Sequence, residues 1–272
     1  MPKTHEYLRM DDRFPHVWCP GCGIGIMFSA LIRAIDSLKL PREKIVLASG
    51  IGCTSRMPGY LDSDTFHVLH GRALAASTGV KLARPDMHVI TVGGDGDMLA
   101  IGGNHFIHAA RRNVGITCII LNNFTYGMTG GQQSPTTPEE MFASTAPYGA
   151  IDEPADACSL AVAAGAAYVA RTTVHNVVQL ERFLKTALVH KGFRLVEVAA
   201  QCPTLFGRMN RMGTPKELLE WIKNRTITIE SANKMSKEQL KDKIVTGVFV
   251  DREVEDYGDR YARLVEKVKN EN

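Results

Sequence analysis

The sequence predicts an α/β fold, a doubly wound and mostly parallel sheet, and three observations carry that prediction. Short β-branched runs alternate with stretches of helical periodicity, a Gly-rich acidic turn joins one such run to the helix after it, and 272 residues that are 44% hydrophobic can bury one large core.

In chain order, residues 25–38 carry apolar side chains at helical spacing directly after a Cys-x-x-Cys turn, and 45–50 read as a strand feeding Cys53. Residues 88–93 (HVITVG) and 116–121 (ITCIIL) are β-branched runs that suit buried strands. Between them 102–112 has helical spacing and ends in Arg111 and Arg112, which suits the negative end of a helix. Residues 135–147 lack a period and hold three prolines, so they form a loop over whatever lies beneath. Then follow an Ala-rich helix at 156–167, a strand at 168–171, a helix at 177–190 and a strand at 194–199. From Ser231 the chain is charged, with a helix start at 236–239 and a short strand at 244–250. The organisation expected is a main domain, 1–212, and an extension, 213–272. The extension carries no motif and is either a solvated appendage or an arm that binds a partner subunit.

The segment from Gly94 to Asn123 carries the chemistry. It reads Gly94-Asp95-Gly96-Asp97, then twenty-four residues from Met98 through Leu121, then Asn122-Asn123. In a βαβ unit the turn after the first strand and the loop after the second emerge side by side at the carboxyl ends of parallel strands, where open α/β sheets bind ligands. Asp95 and Asn123 then face one crevice. Magnesium takes about six oxygens and is usually held by one or two carboxylates together with substrate phosphates. Asp95 offers a carboxylate, Asn123 an amide oxygen and Thr125 its backbone carbonyl, while Gly94 and Gly96 let the backbone approach a diphosphate. By itself Gly-Asp-Gly is also an ordinary acidic turn. The Asn-Asn pair followed by Tyr126-Gly127-Met128-Thr129-Gly130-Gly131 favours the phosphate reading. A dinucleotide fingerprint fails, because the third glycine is Leu99 after Gly94 and Gly96, and Phe28 after Gly23 and Gly25.

Six cysteines give an independent line. Cys118 in an apolar strand and Cys158 in an Ala-rich helix read as buried hydrophobes. Cys19, Cys22, Cys53 and Cys202 sit in loop contexts suited to metal thiolates. A thioredoxin-type motif would need a βα unit before Trp18, and a disulfide framework does not suit a chain with a full core and no signal peptide. On spacing alone, four thiolates suit zinc or iron-sulfur equally.

The runs WCPGCG (18–23), IGCTSR (51–56), HGRA (70–73), GDGDMLAIGGNHFIHAARRN (94–113) and NNFTYGMTGGQQSPTT (122–137) resemble the β subunits of 2-oxoacid:ferredoxin oxidoreductases, and within that family those acting on 2-oxoglutarate. The resemblance covers roughly 19–212. It implies a thiamine diphosphate-binding fold, magnesium, and one [4Fe-4S] cluster held by Cys19, Cys22, Cys53 and Cys202. It implies Asp95, Asn123 and Thr125 as magnesium ligands. Gly94, Gly96, Asp97, Gly127 and Met128 would lie along the diphosphate and thiazolium, Ile51, Gly52, Cys53 and Thr54 near the other end of the cofactor, and His70 near the reacting centre. A histidine in that position is also an ordinary structural residue, and His105 and His108 read as helix packing.

The reaction so implied is the oxidative decarboxylation of 2-oxoglutarate with coenzyme A to succinyl-CoA, electrons passing through the cluster to ferredoxin, and it is reversible. Pyruvate or another 2-oxoacid is the alternative substrate, and a non-catalytic iron-sulfur scaffold the alternative from another class. Arg56, three residues beyond Cys53, is the candidate for the substrate's second carboxylate, with Arg208 and Arg211 in reserve. Thiamine enzymes need a carboxylate against the aminopyrimidine, which in this family lies on an α subunit, so activity is expected only in an αβ or (αβ)₂ assembly. Lysines and arginines are scattered and the net charge is +3, which argues against nucleic acid and is compatible with an acidic electron acceptor. No apolar stretch approaches the roughly 18 residues of a membrane span, so the expected location is the cytoplasm.

Overall fold

The computed structural model describes residues 4–9 and 13–271. Its strands are β1 (Ile45–Ser49), β2 (Asp64–His67), β3 (His88–Gly94), β4 (Ile116–Asn122), β5 (Tyr168–Thr173), β6 (Arg194–Ala199), β7 (Thr226–Thr228) and β8 (Ile244–Asp251). They lie in the order β2-β1-β3-β4-β6-β5-β8-β7, and every neighbouring pair is parallel except β5 with β8. The helices are α1 (Ile24–Ser37), α2 (Ala73–Ala83), α3 (Gly103–Arg112), α4 (Ala157–Ala164), α5 (Val177–Val189), α6 (Pro215–Arg225), α7 (Ile229–Ala232), α8 (Lys237–Leu240) and α9 (Tyr257–Glu271). This is the doubly wound, mostly parallel architecture that the alternation of patterns predicts.

The central strands β1, β4, β5 and β6 are buried along their whole length, as expected where helices cover both faces of a parallel sheet. Alternate side chains serve opposite layers. Ile45, Leu47, Ile119 and Leu121 join α1 and α5 in one core, while Val46, Cys118 and Ile120 join α2, α3 and α4 in the other. In α1, Ile24, Met27, Phe28, Leu31, Ile32 and Ile35 recur at helical spacing and are all buried. Each such side chain contributes roughly 1.5–3 kcal/mol on leaving water, so this one stripe anchors the start of the chain to the sheet. The helix begins directly after Cys22-Gly23, and the fixed helix therefore fixes the Cys-x-x-Cys turn.

Two features depart from the sequence expectation. The 94–103 turn does not pass directly into α3; a π-helical segment, Gly96–Ile101, intervenes, as π-turns often do at functional sites. Beyond residue 212 the chain adds two strands to the sheet, since β8 pairs with β5 and β7 with β8. Helix α6 is started by a capping box of Thr214 and Glu217 with Pro215 in its first turn, and α9 buries no residue.

β1 and β3 are neighbours, yet the chain leaves β1 outward to β2 and returns to β3 on the other side. The connections after β1 and β3 therefore diverge, and a crevice opens at their carboxyl ends.

Candidate active site

One cavity at that crevice gathers the residues singled out for a cofactor: Ile51, Gly52, Cys53, Thr54, His70, Gly94, Asp95, Gly96, Asp97, Asn123, Thr125, Gly127 and Met128, with Tyr126 and Thr129 completing the wall. The register explains the meeting. Gly94 on β3 pairs with Leu121 on β4, so Asp95 and Asn123 leave adjacent strands together. Gly96 has no side chain because a Cβ there would collide with the Tyr126 ring, whose hydroxyl donates to the Gly96 carbonyl at 3.3 Å.

The oxygen donors lie on one side of the cavity. Asp95, Asn123 and Thr125 are all buried. The end of the Asn123 amide lies 2.8 Å from the Thr125 carbonyl and 3.2 Å from Asp95 Oδ1. With nitrogen at that position it donates to both; with oxygen there, three oxygens meet with no proton between them, the environment of a hard cation. Burial pushes the Asp95 carboxyl up, while hydrogen bonds from Ser134 and Thr136 oppose that shift. A divalent ion would supply the positive charge this buried carboxylate lacks, so the donor set fits magnesium.

Support for that group comes from behind. The Thr136 hydroxyl lies 2.6 Å from Asp95 Oδ2 and 2.9 Å from Asn122 Oδ1. Asn122 Nδ2 donates to buried Glu197 at 2.8 Å, and Glu197 takes the Arg171 guanidinium at 2.7 Å. Phe124, at φ 63°, bends the loop back so that its N–H reaches Asn122 Oδ1 at 3.2 Å. Asn122 and Thr136 lie within the 122–137 motif, but their supporting role, like that of Glu197, depends on which strands end beside one another.

Thiols lie on the other side. Trp18 Nε1 donates to the Cys53 carbonyl at 2.8 Å, the Gly23 N–H to the Gln201 carbonyl at 3.2 Å, and Gln201 Nε2 to the Gly21 carbonyl at 3.0 Å. These bonds stitch the three segments that bear Cys19, Cys22, Cys53 and Cys202, and all four thiols are free. Burial first, then the neighbouring thiols, pushes Cys22 up to about 12 and Cys53 up to about 11. The four are thus close enough to feel one another. Among the described residues, however, no three His, Cys, Asp or Glu side chains are placed to hold a single metal ion. A tetrahedral zinc site draws its sulfurs to about 2.3 Å from one ion, whereas a polynuclear cluster spans thiols set farther apart. Four thiols gathered in this way are a donor set that fits an iron-sulfur cluster. Cys118 and Cys158 are buried elsewhere, as read from their contexts.

A single residue separates the two sides. A Cβ on Gly127 would lie 3.5 Å from Cys53 Sγ, 3.7 Å from Cys202 Sγ and 3.9 Å from Asn123 Nδ2. Asp97, expected beside a cofactor, is tied to the scaffold as well: its Oδ1 lies 2.7 Å from His70 Nδ1 and accepts from the N–H groups of Gly71 at 2.7 Å and Ile51 at 3.2 Å. Arg56 is not in the cavity wall. It is exposed on the turn after Cys53, where its charge lowers that thiol slightly against the stronger upward effect of burial. His108 is exposed rather than packed, and His105 half-buried.

Residues 50–198 match the family described as thiamine pyrophosphate enzyme, C-terminal TPP binding domain. The chain is 48% identical over 266 residues to the 2-oxoglutarate synthase subunit KorB of Methanocaldococcus jannaschii, covering 98% of each. It is 42% identical to the same subunit of Archaeoglobus fulgidus over 95% of this chain and 93% of that one. Among solved structures it is similar to the 2-oxoglutarate:ferredoxin oxidoreductase from Magnetococcus marinus, determined with 2-oxoglutarate, coenzyme A and succinyl-CoA bound. The TM-score is 0.87 and the identity 34%, covering 98% of this chain and 91% of that one. The thiamine diphosphate-binding domain, the motifs around it and this near-complete coverage place the chain in the family of 2-oxoacid:ferredoxin oxidoreductase β subunits, on its 2-oxoglutarate synthase branch.

Proposed function

We propose that this chain is the thiamine diphosphate-binding subunit of an enzyme that converts 2-oxoglutarate and coenzyme A to succinyl-CoA and carbon dioxide, reversibly, with ferredoxin as electron acceptor. The observation that carries the proposal is the shared wall at Gly127, with hard oxygen donors on one side and soft thiols on the other. A non-catalytic scaffold would have no use for the oxygen group, and a dithiol protein no use for Cys53 and Cys202. The names and bound ligands of the relatives favour 2-oxoglutarate over pyruvate.

In this reading Asp95, Asn123 and the Thr125 carbonyl hold magnesium, and Gly94 and Gly96 admit the diphosphate against bare backbone. Ile51, Gly52, Thr54, Asp97, Gly127 and Met128 line the rest of the cofactor, while Cys19, Cys22, Cys53 and Cys202 hold the [4Fe-4S] cluster. When bound, thiamine diphosphate supplies the carbon nucleophile and electron sink for decarboxylation, and the cluster supplies a one-electron acceptor. Cys53 belongs to both the cavity wall and the thiol group, so it shortens the path between them. His70 presents a ring nitrogen to the cavity, where it can take or return a proton.

Arg56 is proposed as the contact for the distal carboxylate, and its place on the turn after Cys53 is what supports it. Arg56→Leu is expected to raise KM for 2-oxoglutarate on the order of tenfold, the worth of one charge-assisted contact. An equal change for pyruvate would refute the assignment.

Among the described residues no glutamate lines the cavity, which supports a partner α subunit as the source of the carboxylate that activates thiamine. Residues 213–272, with α9 lying open on the surface, are the proposed arm for that partner. Among the described residues no helix is long and apolar enough to cross a membrane, and the free thiols suit a reducing cytoplasm. The chain purified alone should show no turnover with 2-oxoglutarate, coenzyme A and ferredoxin, and coexpression with its α subunit should restore it. Turnover by the chain alone would overturn this assembly.

A further inference from the structure

We propose that Asp97 is the positioning residue of His70, holding the imidazole in the one tautomer that leaves Nε2 unprotonated and turned to the cavity. The inference rests on the reading of this cavity as the reacting centre. Asp97 is 2% exposed, on the first turn after β3. Its Oδ1 is the meeting point of three groups from two other segments: the N–H of Ile51, the N–H of Gly71, and His70 Nδ1 at 2.7 Å. A carboxylate only accepts, so Nδ1 must carry the proton of that bond, and a neutral imidazole then keeps its lone pair on Nε2.

The carboxylate has no freedom to present itself differently. Two backbone N–H groups aim at Oδ1 from fixed directions. Oδ2 is buried without a partner, against Gly50 and Gly93, where a Cβ on either would collide with it. Gly71 and Gly102 let the His70 loop approach the Asp97 turn closely, since a Cβ on Gly71 would strike Ile101 and one on Gly102 the Asp97 main-chain carbonyl. A fold that leaves one oxygen unsatisfied between two glycines holds the other where the imidazole needs it. His70 keeps 35% of its side chain exposed and sets its ring edge-on to Tyr126, 6.1 Å between centroids. The ring is therefore fixed at one nitrogen and open at the other. This is the arrangement by which a buried carboxylate orients a histidine that handles protons.

A purely structural Asp97 would pin the loops at Ile51 and Gly71 and leave His70 indifferent. Three variants of the αβ complex separate the two roles: Asp97→Asn, His70→Gln, and both together. The expected result is that His70→Gln lowers kcat on the order of 10²-fold, the usual worth of a positioned acid-base group. Asp97→Asn should lower kcat on the order of tenfold with KM little changed, because the orienting charge behind the ring is lost. The double variant should be no slower than His70→Gln alone. Equal proportional losses from Asp97→Asn with and without His70 would overturn the proposal.

A second measurement needs no change at Asp97. In the complex labelled with [¹⁵N]histidine, the imidazole signal that disappears in His70→Gln should report the tautomer protonated at Nδ1. A signal from the Nε2-protonated ring would overturn the proposal even if Asp97→Asn fails to assemble. Thiamine and iron contents read on the same samples test the proposed function separately.

Discussion

The two sides of Gly127 reach the same end by opposite means. On the oxygen side, Asp95, Asn123 and Thr125 come from one βαβ unit and are held by side chains: Thr136 against Asp95, Asn122 against Thr136, and Glu197 with Arg171 behind Asn122. On the thiol side, Cys19, Cys22, Cys53 and Cys202 come from segments far apart in the chain. They are gathered chiefly by main-chain carbonyls, which accept from Trp18 Nε1, the Gly23 N–H and Gln201 Nε2. The contrast teaches that a small hard cation needs its few oxygens aimed, while a large cluster needs only four thiols at the rim of a pocket. Where aim matters, a supporting shell of side chains fixes it.

If the two sides are independent in this sense, damage should stay on one side. The largest effect is expected from Asp95→Ala, which removes the carboxylate from the oxygen group. Affinity for magnesium thiamine diphosphate should fall by roughly 100-fold or more, read from quenching of Trp fluorescence, with iron content unchanged. Loss of iron in that variant would break the comparison. Gly127→Val should be the exception that hurts both sides, because its branched side chain presses on Cys53, Cys202 and Asn123 together. Thiamine affinity and iron content should each fall roughly 30-fold in that variant, which amounts to about 2 kcal/mol per site. A change in only one of the two would show that Gly127 is not a common wall. The smallest effect is expected from Thr136→Val, which preserves shape but removes the hydroxyl lying 2.6 Å from Asp95 and 2.9 Å from Asn122. Thiamine affinity should weaken on the order of 10-fold with no change in iron, and an unchanged affinity would remove Thr136 from the supporting shell.

The same contrast governs what could be read in the sequence. The strands 88–93 and 116–121 and the acidic turn between them were legible because strand burial and turn chemistry are local, and β3 and β4 lie where the patterns put them. The four loop cysteines stood out by context, yet spacing could not separate zinc from iron-sulfur, since that depends on how far apart the folded chain sets the sulfurs. Asp97 was expected beside a cofactor, but its grip on His70, Gly71 and Ile51 was hidden. It exists only because β1 and β3 pair and bring Gly50 and Gly93 together. Strand β2, short and only partly buried, has no period to betray it. Residues 244–250 read as a short strand, but its antiparallel docking on β5, far earlier in the chain, is a long-range event that no local pattern encodes. For Arg56 the sequence offers only its charge and its distance from Cys53 along the chain, neither of which says which way a side chain leaves a turn.

The central claim is that one chain carries a thiamine site and an iron-sulfur site on either side of a single glycine. The direct test is the cofactor content of the complex, purified without oxygen. The account predicts iron and sulfide in the proportions of one [4Fe-4S] cluster in this chain, together with an equimolar amount of thiamine diphosphate. Zinc in place of iron, or a full cluster with no thiamine diphosphate bound, would contradict it.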